Sequence, residues 1–205
     1  MAWGQLDREV VRASPADAEA YLLGAAHDST YSRLHGTTRF CQADQRWLEV
    51  LDGLLLRLGA RSWTYREGRS RLVWVLETSW RPPDTISELK RRTAYARGYF
   101  DAEGGIPRRT EARFYIQFVQ KNLQDLSEVR ETLLTHGIRC GRLHNPSTRV
   151  DPHYWRFFVA SGSHLDFAET IRSWHPRKRP RLELARDRLS MANATPGLDR
   201  GVTGG

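Results

Sequence analysis

The apolar positions of this chain alternate between helical and strand periods, and the same order of elements is written twice. Around Leu48, Leu51, Leu55 and Leu58 apolar residues recur every three or four positions, which predicts a helix with one buried stripe. Gly59 then supplies a helix stop. Residues 62–66 and 71–78 flank a turn at Gly68 and predict a hairpin. Over 113–121 the period changes to two. Phe114, Ile116 and Phe118 fall on one face and Arg113, Tyr115 and Gln117 on the other, as in a half-buried strand. Residues 138–144 and 154–160, on either side of Asn145-Pro146, predict a further strand pair, and 164–173 a helix. Asn193, Pro196 and the closing Gly204-Gly205 lie in a stretch with no apolar period, which predicts a disordered tail over 189–205.

The two halves align at one constant offset. Gln42 matches Gln120, Leu48 matches Leu126, Leu51 matches Val129, Leu55 matches Leu133, Gly59 matches Gly137 and Arg61 matches Arg139. An internal repeat fixes architecture before any single element does. Two copies are too few for a solenoid and suit a pair of half-domains related by a pseudo-twofold axis. The division predicted is 1–86, 87–188 and the tail.

Each copy opens on a short motif. Residues 94–106 read AYARGYFDAEGGI, and 20–30 read AYLLGAAHDST. They share the frame Ala-Tyr-x-x-Gly, which pairs Gly24 with Gly98. Glycine lets two backbones approach, at a helix-propensity cost of about 1 kcal/mol each. Matched glycines therefore predict a helix–helix seam.

The second motif resembles the signature helix of the LAGLIDADG homing endonucleases, and the first is a degenerate echo of it. The resemblance covers most of the chain, about residues 17–181. It implies an α+β fold of two pseudo-twofold-related αββαββα half-domains. The signature helices would pack at the centre, and the antiparallel sheets would form a saddle over DNA. It further implies acids at the helix ends that hold a divalent metal. Glu103 stands at that acid position in the second motif. In the first, the register gives Ser29, and Asp28 lies one residue early. The expectation is that Asp28, not Ser29, faces the metal through a local change at the helix end, because a hydroxyl is the poorer Mg²⁺ ligand. Gln42 and Gln120 match positions that order water around the scissile phosphates, and Lys178 resembles the family's pocket lysine. The expected catalytic set is thus Glu103, Asp28, Gln42, Gln120 and Lys178.

Composition agrees with such a partner. The net charge of +8 favours a polyanion, and hydrophobic residues at 40% suffice for a core. Only Lys90, Lys121 and Lys178 among the 32 basic residues are lysine. Outward strand positions carry side chains suited to base edges in a major groove. These are Arg33, His35 and Arg39 in the first half, and Arg113, Tyr115, Gln117, Arg142, His144 and Arg156 in the second. Arg177 and Arg179, with Arg181, suit phosphates. His27, His136 and His164 share no metal-ligand spacing and read as structural or surface residues. Cys41 and Cys140 read as reduced thiols of an intracellular, cytoplasmic protein. No apolar run approaches a membrane span, and no secretory pattern opens the chain.

The function expected is a monomeric, site-specific endonuclease that cuts a pseudo-palindromic double-stranded DNA target with Mg²⁺, or with Mn²⁺ or Ca²⁺ in its place. Such an enzyme would be associated with a host intron. The alternative is a cleavage-impaired scaffold that binds nucleic acid, as an intron-splicing maturase or a regulator.

Overall fold

A computed structural model describes residues 8–68 and 73–194 of the chain. The first half runs α1 (Arg8–Arg12), α2 (Pro15–Ala25), β1 (Ser29–Ser32), β2 (Thr37–Gln42), α3 (Gln45–Arg57), β3 (Ser62–Glu67) and β4 (Val73–Thr78). The second runs α4 (Ser87–Lys90), α5 (Thr93–Glu103), β5 (Gly104–Gly105), β6 (Gln117–Gln120), α6 (Leu123–Thr135), β7 (Trp155–Phe158), α7 (His164–Thr170) and α8 (Arg179–Ala194). Four antiparallel strands in the order β1-β2-β4-β3 form one sheet, and β5-β6-β7 form the other. The fold is therefore α+β, with α2 packed directly on α5.

The repeat is visible in the helices behind the sheets. α3 and α6 have equal length, and each starts on a side-chain cap, Asp44 accepting from Arg46 N and Asn122 from Gln124 N. Their stripes, Leu48, Leu51, Leu55 and Leu126, Val129, Leu133, are fully buried. Both helices stop at a left-handed glycine, Gly59 at φ 71° and Gly137 at φ 76°.

α2 and α5 are buried around most of their circumference, as central helices must be. Ser14 caps α2 by accepting from Asp17 N at 3.1 Å, with Pro15 in the first turn. Where they cross, a Cβ on Gly24 would lie 2.6 Å from Tyr99 N, and one on Gly98 would lie 2.9 Å from the Tyr21 carbonyl carbon and 3.0 Å from Ala25 N. Real side chains essentially never come that close, so the seam is backbone against backbone.

The second half departs from the predicted strands. The expected strand over 113–121 shrinks to Gln117–Gln120, although Ile116 and Phe118 still face inward and Arg113 and Tyr115 outward. Its partner β5 has two residues, and Pro107 soon follows, which has no N–H to extend a ladder. Residues 138–144 contribute only the isolated bridges Cys140↔Val159 and His144↔Arg156. The register shifts by one residue between those bridges, so one residue of 141–143 bulges out of the ladder.

The helix expected over 164–173 ends at Thr170, because Arg172 takes φ 63° and turns the chain inward. Residues 189–194, expected in the tail, continue α8, whereas 195–205 lie outside the described residues. So do residues 71 and 72 of the predicted hairpin.

Candidate nuclease centre and nucleic-acid face

Both signature helices end at the same place by different routes. α5 stays α-helical to Glu103. α2 stops at Ala25 and tightens into a 3₁₀ turn over Ala26–Asp28. Measured from the matched Ala25 and Tyr99, three 3₁₀ residues rise about 6 Å and four α residues also about 6 Å. The tightened turn thus carries Asp28 to the depth that Glu103 reaches one residue later. Ser29 has by then entered β1, and its hydroxyl donates to Ala26 O at 2.6 Å.

Each acid meets its glutamine. Gln42 Nε2 donates to Asp28 Oδ2 at 2.7 Å, and Gln120 Nε2 to Glu103 Oε1 at 3.2 Å. The carboxyl of Glu103 titrates above its usual range, first through burial and then through the negative charge of Asp28. Asp28, at the solvent edge of the centre, is raised as well, since the surrounding protein removes water from it.

Lys178 completes the group. Its Nζ donates to Phe100 O at 2.7 Å and Asp101 O at 2.8 Å, and lies 5.2 Å from the Phe100 ring centroid. A cation at carbonyls of a helix C-terminus is favourably placed. Burial nevertheless lowers its pKa to about 8, against the opposing pull of Asp101, Glu103 and Asp28.

The sequence pattern did not single out what holds Lys178 there. Asp101 is buried and accepts from Tyr21 Oη at 2.7 Å, Ser173 Oγ at 2.5 Å, Trp174 N at 2.8 Å and His175 N at 3.1 Å. It ties α2, α5 and the 173–175 turn together. The residue matched to Asp101 in the first half is His27, whose Nε2 lies 3.1 Å from Tyr95 Oη. No lysine stands at an equivalent place in the first half. Lys90 pairs with Glu128 instead, and Lys121 is exposed.

Asp28 and Glu103 suit a hard divalent cation in kind and number. Among the described residues no group of three or more His, Cys, Asp or Glu gathers. Mg²⁺ keeps several waters and needs only one or two carboxylates when phosphates supply the rest. The negative charge of Asp28, felt at Glu103, also makes this a place where a cation relieves repulsion.

The expected recognition residues separate into groups. Gln117 and Tyr115 line an open groove of about 890 Å³ together with Lys178, Arg177 and Arg181. Arg108 and Arg109, which the sequence reading missed, line it too. They follow the signature motif directly, and their adjacency to Pro107 was the available signal. Arg156 and His144 join the same sheet face, Arg156 Nε donating to His144 Nε2 at 3.2 Å. Arg142 and Arg113 are exposed beside it.

Arg33 and His35 sit in the β1–β2 turn rather than on a strand. Arg39 does face outward, but it pairs with Glu67 at 2.9 Å. Arg179 does not join the groove: it pairs with Glu183 at 2.8 Å and lines a separate cavity with Arg172 and Arg186. Arg177 is shared with Asp44, at 3.1 Å.

The sequence model of the LAGLIDADG-like domain matches residues 91–172. Residues 91–172 thus carry a LAGLIDADG-like domain. The fold of the chain is that of I-DmoI: the structure of that protein with DNA and Ca superposes with TM-score 0.60 at 17% identity, over 84% of this chain and all of that one. The structure of I-DmoI with DNA and Mn gives 0.58 at 15% identity, over 77% of this chain and 97% of that chain. Full-length DUF199/WhiA from Thermatoga maritima gives 0.63 at 17% identity, over 92% of this chain and 66% of the other. No curated protein sequence matches. Among the described residues no helix is long and apolar enough to cross a membrane.

Proposed function

We propose that this protein is a homing endonuclease. In this reading it binds double-stranded DNA across its sheets and hydrolyses phosphodiester bonds at the Asp28–Glu103 pair. The observation that carries the reading is the convergence of two glutamine-bonded carboxylates and one half-buried ammonium at the ends of two helices packed backbone to backbone. A divalent cation held by Asp28 and Glu103 would supply an activated water near neutral pH and a counter-charge for the leaving oxygen. Gln42 and Gln120 orient the carboxylates. Lys178 Nζ, with two protons engaged by carbonyls, keeps a third for a phosphate oxygen or a water. With its pKa near 8, it can exchange that proton close to neutral pH.

The test is Mn²⁺ binding followed by electron paramagnetic resonance, then strand-resolved cleavage of duplexes taken from the gene's flanking locus. Glu103→Gln and Asp28→Asn should each weaken Mn²⁺ binding. Glu103→Gln should also abolish cutting while duplex binding survives. Unchanged Mn²⁺ affinity in both variants would refute the site.

One observation favours a second reading. The first half has no lysine to match Lys178, and its Ser29 hydroxyl is committed to the backbone. A chain that cuts one strand faster, or that binds without cutting as a maturase or regulator would, follows from that asymmetry.

A further inference from the structure

The two sheet faces offer DNA unequal charge. On the first, Arg39 is bracketed. Its guanidinium donates to Glu67 Oε1 at 2.9 Å and Tyr65 Oη at 3.1 Å, and its Nε stands 4.0 Å from Glu77 Oε2. Glu77 also accepts from Thr37 Oγ1 at 2.6 Å and Tyr65 Oη at 3.0 Å, so it is fixed on this face. Its register partners are Arg39 and Trp63, the latter 46% exposed. One arginine thus faces two carboxylates. Moving it to a phosphate would leave both acids against the DNA backbone.

The groove of the second half is the reverse. Arg108, Arg109 and Arg181 are exposed along it, and none meets a carboxylate among the described residues. Lys178 lines it too. On the adjoining sheet, Arg156 lies 5.3 Å over the Phe158 ring and donates to a histidine rather than to an acid.

We infer that DNA is held off-centre, its phosphates gripped by the second half-domain and the 175–181 segment while the first sheet face adds little net charge. The inference rests on the DNA-binding reading above. The physical reason is that phosphate contacts by Lys and Arg dominate duplex affinity, each released counterion steepening the salt dependence. An arginine already neutralised by two acids releases none. The Glu67–Arg39–Glu77 row then bears on which sequences are accepted, through shape and hydrogen bonding, more than on affinity.

The experiment is fluorescence-anisotropy binding of a short random-sequence duplex in Ca²⁺ over a range of salt concentrations, with melting temperature as a fold control. Arg181→Ala and the pair Arg108→Ala/Arg109→Ala should flatten the salt slope, by about 0.9 for each arginine on a phosphate. Arg39→Gln should leave the slope unchanged. Glu67→Gln/Glu77→Gln, which frees Arg39, should steepen it by about 0.9. If Arg39→Gln flattens the slope as much as Arg181→Ala does, the off-centre grip is wrong and the DNA-binding reading survives. If the wild-type protein binds no duplex, both fall together.

Discussion

Adding one methyl group to the helix seam is the sharpest test of the architecture. In an ordinary exposed helix Gly→Ala gains about 1 kcal/mol. At Gly98 the new Cβ would overlap the Tyr21 carbonyl oxygen outright, with Tyr21 C at 2.9 Å and Ala25 N at 3.0 Å. All three atoms are backbone of α2, so no rotamer change relieves the contact. Returning the oxygen to an ordinary separation near 3.5 Å needs roughly 1.4 Å of movement by a helix buried on most sides. Overpacking of this kind costs about 1–3 kcal/mol, and the rigid partner puts this site at or above the upper end. Net of the propensity gain, we expect Gly98→Ala to lose about 2 kcal/mol. In a chain of this size that lowers Tm by roughly 4–8 °C. Thermal and urea denaturation followed by circular dichroism measure it. Gly24→Ala should behave alike, because its Cβ would meet Tyr99 N at 2.6 Å. A Gly98→Ala protein as stable as wild type, or more so, would refute the backbone-to-backbone seam and with it the placement of both acids.

Other outcomes follow from the centre. Asp101→Asn should destabilise the fold by about 3 kcal/mol in urea titration, since it sets a neutral amide against four converging donors; unchanged stability would show that the tether to the 173–175 turn is unimportant. Ser29→Ala should leave Mn²⁺ affinity and strand-resolved cleavage near wild type whereas Asp28→Asn impairs cutting of at least one strand, and the opposite ranking would return the first acid position to residue 29. Burial lowers the His175 pKa to about 3. The unfolded state therefore binds the extra proton first, and stability should fall as pH drops from about 6.5 toward 3, by a few kcal/mol. A Tm series over that range should flatten in His175→Gln, and an equally steep series in the variant would assign the acid sensitivity elsewhere.

Much of the architecture is legible in the chain because it depends on residues near one another in sequence. The Leu48, Leu51, Leu55 stripe and its counterpart at Leu126, Val129, Leu133 specify two helices by periodicity alone. Gly59 and Gly137 end those helices because only glycine enters the left-handed region without cost. The matched Gly24 and Gly98 specify a close helix pair, and their backbones do meet. Glu103, Gln42 and Gln120 were recognisable from motif and offset, and the structure puts each glutamine on an acid.

What the sequence could not decide depends on partners far away along the chain. A strand persists only while its neighbour can pair with it, so the alternation at 113–121 overstated a strand whose partner is two glycines followed by Pro107. Whether an arginine is available to DNA depends on which carboxylate reaches it. Arg39 is taken by Glu67 and Glu77 across a sheet, and Arg179 by Glu183 one helical turn away, although both look as suitable as Arg181 in the sequence. Asp101 reads as one more acid of the motif until the fold brings Ser173, Trp174 and His175 onto it. The depth that Asp28 reaches likewise depends on a helix end tightening to 3₁₀, which the sequence did not display. Periodicity, turns and caps are local energies that a sequence displays directly; the pairing of charges and the depth of a helix end belong to tertiary packing.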